Sequence, residues 1–153
     1  VRFQREVITR KLFDEMYPMF ERNFKEIETF QDMGLDFDYE RYEAIEKNGS
    51  YRLFTARNGS GGLIGYAAYF VDRHIRHNKT IQASQDVIYI VPESRGIGGL
   101  LLRFCENELK KEGVSVIYSY VKIAHSKVFS PLCEKLGYQL TDYVYSKKLN
   151  GGV

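Results

Sequence analysis

The stretch IYIVPESRGIGGLLLRFCENELKKEG, Ile88 to Gly113, constrains the fold more than any other part of the chain. A nearly continuous apolar run, as expected of a strand buried on both faces, meets Pro92, then Arg95, Gly96, Gly98 and Gly99, then an amphipathic helical pattern. Ile97, Leu101, Cys105 and Leu109 stand four apart and give that helix one apolar face, with Leu100 and Phe104 beside them. Lys110, Lys111 and Gly113 supply its C-terminal stop. Glycine is costly at a helix start unless the backbone needs positive φ or close approach. A cluster there leaves the N–H groups of residues 96–100 able to face an anion, helped by the helix dipole and Arg95. A nucleotide P-loop would place Lys-Ser/Thr after the glycines, where this chain has Leu100 and Leu101. A dinucleotide fold would place the turn after the first strand of an alternating βα series.

Here the turn follows the fourth strand of a mostly antiparallel run. Residues 2–8 alternate weakly, as a strand does. Thr9 caps a helix from Arg10 into FERNFKEIETF, with a kink or break expected at Pro18. DYERYEAIEKNG reads as a second helix, capped by Asp38 and ended by Gly49. YRLFTAR, the NGSGG turn and LIGYAAYFV form a hairpin. RHIRHNK reads as a loop and IQASQDVIYIV as a long central strand. After the glycine helix come the strand VSVIYSYV, a short helix in SKVFSPLCEKLG with Pro131 near its start, and a final long strand, YQLTDYVYSKKL. This order describes one α/β domain over residues 1–153, with a mixed, largely antiparallel central sheet flanked by helices.

No apolar run approaches membrane-spanning length, and the polar start VRFQREVITRK lacks a secretory pattern. Two cysteines make no disulfide framework and fit a reducing, cytoplasmic setting. His74 and His77 share no face on a loop and have no third ligand nearby, so no metal is expected. Net charge is only +2, yet eleven of the 20 acids and only three of the 22 bases fall between Asp14 and Glu46. These acids are either solvated helix faces or a lobe that attracts a cation, beside a basic body that attracts an anion. The bases are spread rather than clustered with aromatics, which argues against nucleic acid as a partner. Nothing in the sequence decides between a monomer and a homo-oligomer.

Val91-Pro92-Glu93-Ser94-Arg95-Gly96-Ile97-Gly98-Gly99, followed later by Cys133-Glu134-Lys135-Leu136-Gly137-Tyr138, resembles the two signature motifs of the GNAT superfamily of acyl-CoA N-acyltransferases. The element order matches along nearly the whole length. More loosely, ASQDVIYIVPESRG with HSKVFSPLCEKLGY is similar to small acetyltransferase-like proteins of tailed bacteriophages. There are departures. Aligned on Pro-Glu-x-Arg-Gly, the turn is about two residues shorter than the family pattern; aligned on the glycines, Glu93 falls where the family has Arg or Gln.

The resemblance implies acetyl transfer from acetyl-CoA to a primary amine by direct attack. It implies a pyrophosphate held by Arg95, Gly96, Ile97, Gly98, Gly99 and Leu100. The pantetheine arm would run along Ile88, Tyr89 and Ile90, in a cleft between the fourth and fifth strands. Ser126 aligns with the family's pantetheine-contacting Asn, and His125 lies beside it. The family's base, often a Glu on the fourth strand, aligns near Ser84. Asp86 lies two residues on, on the same side of a regular strand, and is the candidate base; the competing reading is a carboxylate that caps or pairs. The family's acid, a Tyr, is replaced by Cys133, which is either the acid or a packed thiol. The acidic segment corresponds to the helices that shape the acceptor site, favouring a cationic amine such as a lysine side chain, a polyamine or an aminoglycoside. The alternative is a GNAT-fold binding protein without catalysis, acting through a contact with another protein; acyl-CoA binding separates the two.

Overall fold

The computed structural model describes residues 1–150. A five-stranded sheet in the order β1-β2-β3-β4-β5 is built from Arg2–Glu6, Tyr51–Arg57, Leu63–His74, His77–Ile90 and Val114–Tyr118. The first four strands pair antiparallel, and β5 joins β4 in parallel after a helical crossover. Helices α1 (Arg10–Ile27) and α2 (Tyr39–Lys47) cover one face, and α3 (Gly98–Lys111) covers the other. Helix α4 (Ser126–Lys135) follows β5. Each face buries its own core: Phe13, Met16, Tyr51, Leu53 and Tyr66 under α1 and α2, and Phe54, Tyr69, Ile90, Leu101 and Leu109 under α3.

Thr9 caps α1 by accepting the Leu12 N–H at 3.1 Å, and Asp38 caps α2 through the Arg41 N–H at 3.0 Å. Four readings from the sequence are corrected. Pro18 does not divide α1, which runs unbroken through it; the buried face of Leu12, Phe13, Met16 and Met19 outweighs one lost backbone bond. Pro131 lies inside α4, five residues beyond its start at Ser126. RHIRHNK is not an open loop: β3 and β4 extend into it, and His74 pairs across with His77, their rings 4.6 Å apart. The two histidines therefore do meet, although no group of three or more potential metal ligands forms among the described residues. Finally, residues 138–148 form no strand. The chain leaves α4 through Gly137 at φ +92° and is drawn toward an ion pair of Lys148 with Asp32. Leu140, Tyr143, Val144 and Tyr145 stand exposed along it, for alternation makes a strand only where an edge is met.

Gly65 sits opposite Ile90, and a Cβ there would lie 2.9 Å from the Tyr89 carbonyl oxygen. Gly65→Ala is expected to push β3 off β4 and to cost about 1–3 kcal/mol, read as a fall in denaturant midpoint. An unchanged midpoint would mean that the two strands yield freely at this point.

Candidate active site

Strands β4 and β5 pair only from Ile81 with Val114 to Ser84 with Tyr118. Beyond that point they separate, and the last link is the Ser119 hydroxyl donating to the buried Gln85 side chain. The residues that follow on β4, Gln85 to Ile90, keep β3 on one side and, among the described residues, have no strand on the other. Val91 N–H bonds to the Ile64 carbonyl on the β3 side. By alternation, the backbone of Tyr89 also faces β3, while that of Ile88 and Ile90 faces the open edge. The Ile90 carbonyl already meets Arg95 Nε at 3.4 Å on that edge. Of the three strand residues read from the sequence, two thus present backbone to the cleft, and Tyr89 presents its ring.

The register of β3 against β4 slips between Ala68/Val87 and Tyr69/Gln85, leaving Asp86 as an extra residue, a β-bulge. The bulge turns Asp86 toward α1 and α2, where it accepts the Tyr51 hydroxyl at 2.6 Å. Asp86 is open to the cavity yet ringed by protein, and this burial raises its pKa, with the Tyr51 hydrogen bond opposing the shift. Burial, and then the Asp86 charge, push the Tyr42 phenol up to about 12. Tyr51 is held well above the ordinary phenol range by the same two causes.

At the other end of the cleft, a 3₁₀ turn at Pro92–Ser94 leads to Gly96 at φ +113°, a conformation in which only glycine is unstrained. Helix α3 begins at Gly98 with no side-chain cap. The N–H groups of Gly96, Ile97, Gly98, Gly99 and Leu100 take no acceptor among the described residues, the first bond of the helix being Leu101 N–H to Ile97 O at 3.0 Å. Five open donors at a helix N-terminus are a seat for phosphate. Arg95 stands beside them but is engaged: Glu26 accepts its guanidinium at 2.5 Å and also lies 3.0 Å from His125 Nε2.

One cavity of about 700 Å³ joins these parts. Asp86, Ile88, Tyr89, Ile90, Arg95, Gly96, Gly98, Gly99 and His125 all line it. Ile97 packs its side chain into the α3 core instead, and the Leu100 side chain is 59 % exposed outside the cavity. Ser126 does not reach it either, because its hydroxyl donates to the Ile123 carbonyl at 2.9 Å. Cys133 is buried away from it: α4 turns Val128, Phe129 and Leu132 to the cavity and Cys133 to the side of Glu106 and Tyr138. Burial raises the pKa of the Cys133 thiol. The α1–α2 wall is aromatic, with Phe20 and Phe37 rings 4.6 Å apart and Phe20 edge-on to Tyr66 at 5.5 Å. Sequence reading missed this wall because the same rings serve as core.

Of the eleven acids between Asp14 and Glu46, only Glu28 lines the cavity. Glu15 pairs with Arg57, Glu26 with Arg95, Glu40 with Arg10 and Glu43 with Lys47. Asp38 caps α2, and Glu46 accepts the Ile8 N–H at 2.7 Å.

The sequence matches the acetyltransferase (GNAT) family over residues 13–138. The chain belongs to the GNAT family. A comparison with curated proteins finds no match. Among solved structures, a ribosomal-protein-alanine N-acetyltransferase from Brucella melitensis biovar Abortus 2308 superposes with a TM-score of 0.73 at 14% identity, covering 97% of this chain and 100% of its own. A predicted acetyltransferase with acetyl-CoA from Clostridium acetobutylicum gives 0.68 at 18%, covering 97% of each chain. An aminoglycoside acetyltransferase from an uncultured soil metagenomic sample, in complex with sisomicin, gives 0.71 at 13%, covering 96% of each chain. At these identities the likeness is one of fold. Family membership makes this GNAT protein an acyl-CoA N-acyltransferase. Among its described residues no helix is long and apolar enough to cross a membrane.

Proposed function

We propose that the protein transfers an acetyl group from acetyl-CoA to a primary amine by direct attack. The observation that carries this reading is the single cavity shared by a carboxylate, Asp86, and by the open glycine turn of α3. When bound, acetyl-CoA supplies the thioester carbonyl. The free N–H groups of residues 96–100 hold its pyrophosphate, with Arg95 exchanging Glu26 for phosphate. The open edge of Ile88 and Ile90 pairs with the pantetheine amides. Asp86 takes the proton of the attacking amine, directly or through one water, as the C–N bond forms and the C–S bond breaks. Cys133 is walled off from the cavity, so the departing thiolate takes its proton from the hydroxyl of Tyr120, which lines the cavity just beyond the end of β5.

Thermal unfolding with and without acetyl-CoA tests the reading. At one hundred times its dissociation constant a ligand adds about 2.7 kcal/mol, so a clear rise in midpoint is expected. No rise at saturation would overturn acetyl-CoA as the donor and favour a binding role for the fold.

A further inference from the structure

On the acceptor side of Asp86 the cavity wall is mostly aromatic, its uncharged polar groups being Asn23, Gln85 and the tyrosine hydroxyls. Phe13, Phe20, Phe37, Tyr42, Tyr51 and Tyr66 enclose it. Aromatic faces can hold cations, but here they are taken up by one another. Phe13 meets Phe20 at 62° and Phe37 at 80°, and Phe20 meets Tyr66 at 89°, each edge against face. Charge is scarce. Glu28, at the margin, already accepts the Phe30 N–H at 3.2 Å and lies 3.7 Å from Lys122 Nζ. Asp86 is the carboxylate left to meet an amine. A second ammonium carried into this wall would be desolvated without a counter-charge, which is strongly unfavourable. An aromatic or branched hydrocarbon body would instead gain from leaving water and from edge-to-face contact.

Resting on the acyl-transfer reading above, we infer that the acceptor is a monoamine with one compact apolar body, of the size and kind of 2-phenylethylamine, and not a polyamine or an aminoglycoside. Its nitrogen meets Asp86 and its body lies against the cavity side of Phe20, Phe37 and Tyr42.

The test measures thiol release from acetyl-CoA with 2-phenylethylamine, isopentylamine, cadaverine, spermidine and kanamycin, alongside binding of each amine to the protein without acetyl-CoA. The two monoamines are expected to exceed cadaverine in kcat/KM by roughly tenfold or more, the scale on which apolar pockets discriminate. Phe37→Ala should lower the 2-phenylethylamine value by a similar factor while leaving acetyl-CoA affinity unchanged. Should that variant fail to fold, Leu35→Glu, at a half-buried position on the cavity, serves instead: a second carboxylate there should shift preference toward cadaverine. Equal or better use of cadaverine, spermidine or kanamycin by the unaltered protein would overturn the inference, as would no preferential binding of the monoamines. If 2-phenylethylamine binds in preference and is not acetylated, the cavity reading stands and acyl transfer fails.

Discussion

Asp86→Asn is expected to lower turnover by about 10²–10⁴-fold, the usual worth of a positioned general base, while raising the melting temperature at neutral pH. The amide keeps the shape and can still accept the Tyr51 hydroxyl, but it cannot take a proton. An alkylamine has a pKa near 10.4, so at neutral pH it is almost entirely protonated. The defect should therefore be largest at low pH and should narrow as the amine loses its proton unaided. The stability change has the opposite sign for a separate reason. Burial holds the Asp86 carboxyl above its ordinary 3.8, so the folded state binds this proton more tightly than the unfolded chain does. Ionisation on folding then carries a cost. It is absent below the unfolded value, grows as pH rises through the raised folded value, and stays in full above it. Asparagine never incurs it. Melting temperature against pH for both proteins should show the variant higher at neutrality and the two curves converging in acid. Wild-type turnover across the pH range would remove Asp86 from the chemistry. A variant that melts lower at neutral pH would mean that the carboxylate is paired to advantage in the fold.

Much of the glycine turn was legible because its requirement is local. A positive φ at Gly96 and open donors at the start of α3 depend on residues 95–101 alone, and the spacing of Ile97, Leu101, Cys105 and Leu109 fixes which way the helix faces. The Asp86 end of the cavity was not legible, because its features lie across the sheet. The bulge that makes Asp86 an extra residue is a mismatch of two strands, and no periodicity within β4 reveals it. Gly65 reads as an ordinary hairpin residue until Tyr89 is seen against it. Composition left both readings of the acidic segment open. Counting acids does not say which way a helix turns them, and α1 and α2 turn aromatics inward and spend their carboxylates on caps and outward ion pairs. Cys133 was placed by its motif, yet only the rotation of α4 reveals that Phe129 and Leu132 face the cavity in its stead. The last segment, 138–148, has the alternation of a strand without a partner edge among the described residues.

Leu100→Asp should separate the fold from its ligand. Leu100 lies in the first turn of α3, its side chain is 59 % exposed, and its backbone N–H is one of the five open donors. A carboxylate in a first helical turn interacts favourably with the dipole, so the free protein is expected to gain about 0.3–1 kcal/mol. Helical side chains lean toward the N-terminus, which brings the new charge over the donors that would receive pyrophosphate. Two like charges about 4–6 Å apart at a protein surface repel by roughly 3–4 kcal/mol before salt screening; with screening, a 10- to 100-fold loss of acetyl-CoA affinity is expected. Adding salt should narrow the gap between the variant and the parent. Leu100→Asn removes the charge while keeping the shape, and should bind within a few-fold of the parent. Calorimetric titration of the three proteins at low and moderate salt, beside their unfolding curves, gives both signs at once. A stabilised aspartate variant that binds acetyl-CoA as tightly as the parent would move the pyrophosphate away from the start of α3, and with it the orientation of the thioester relative to Asp86.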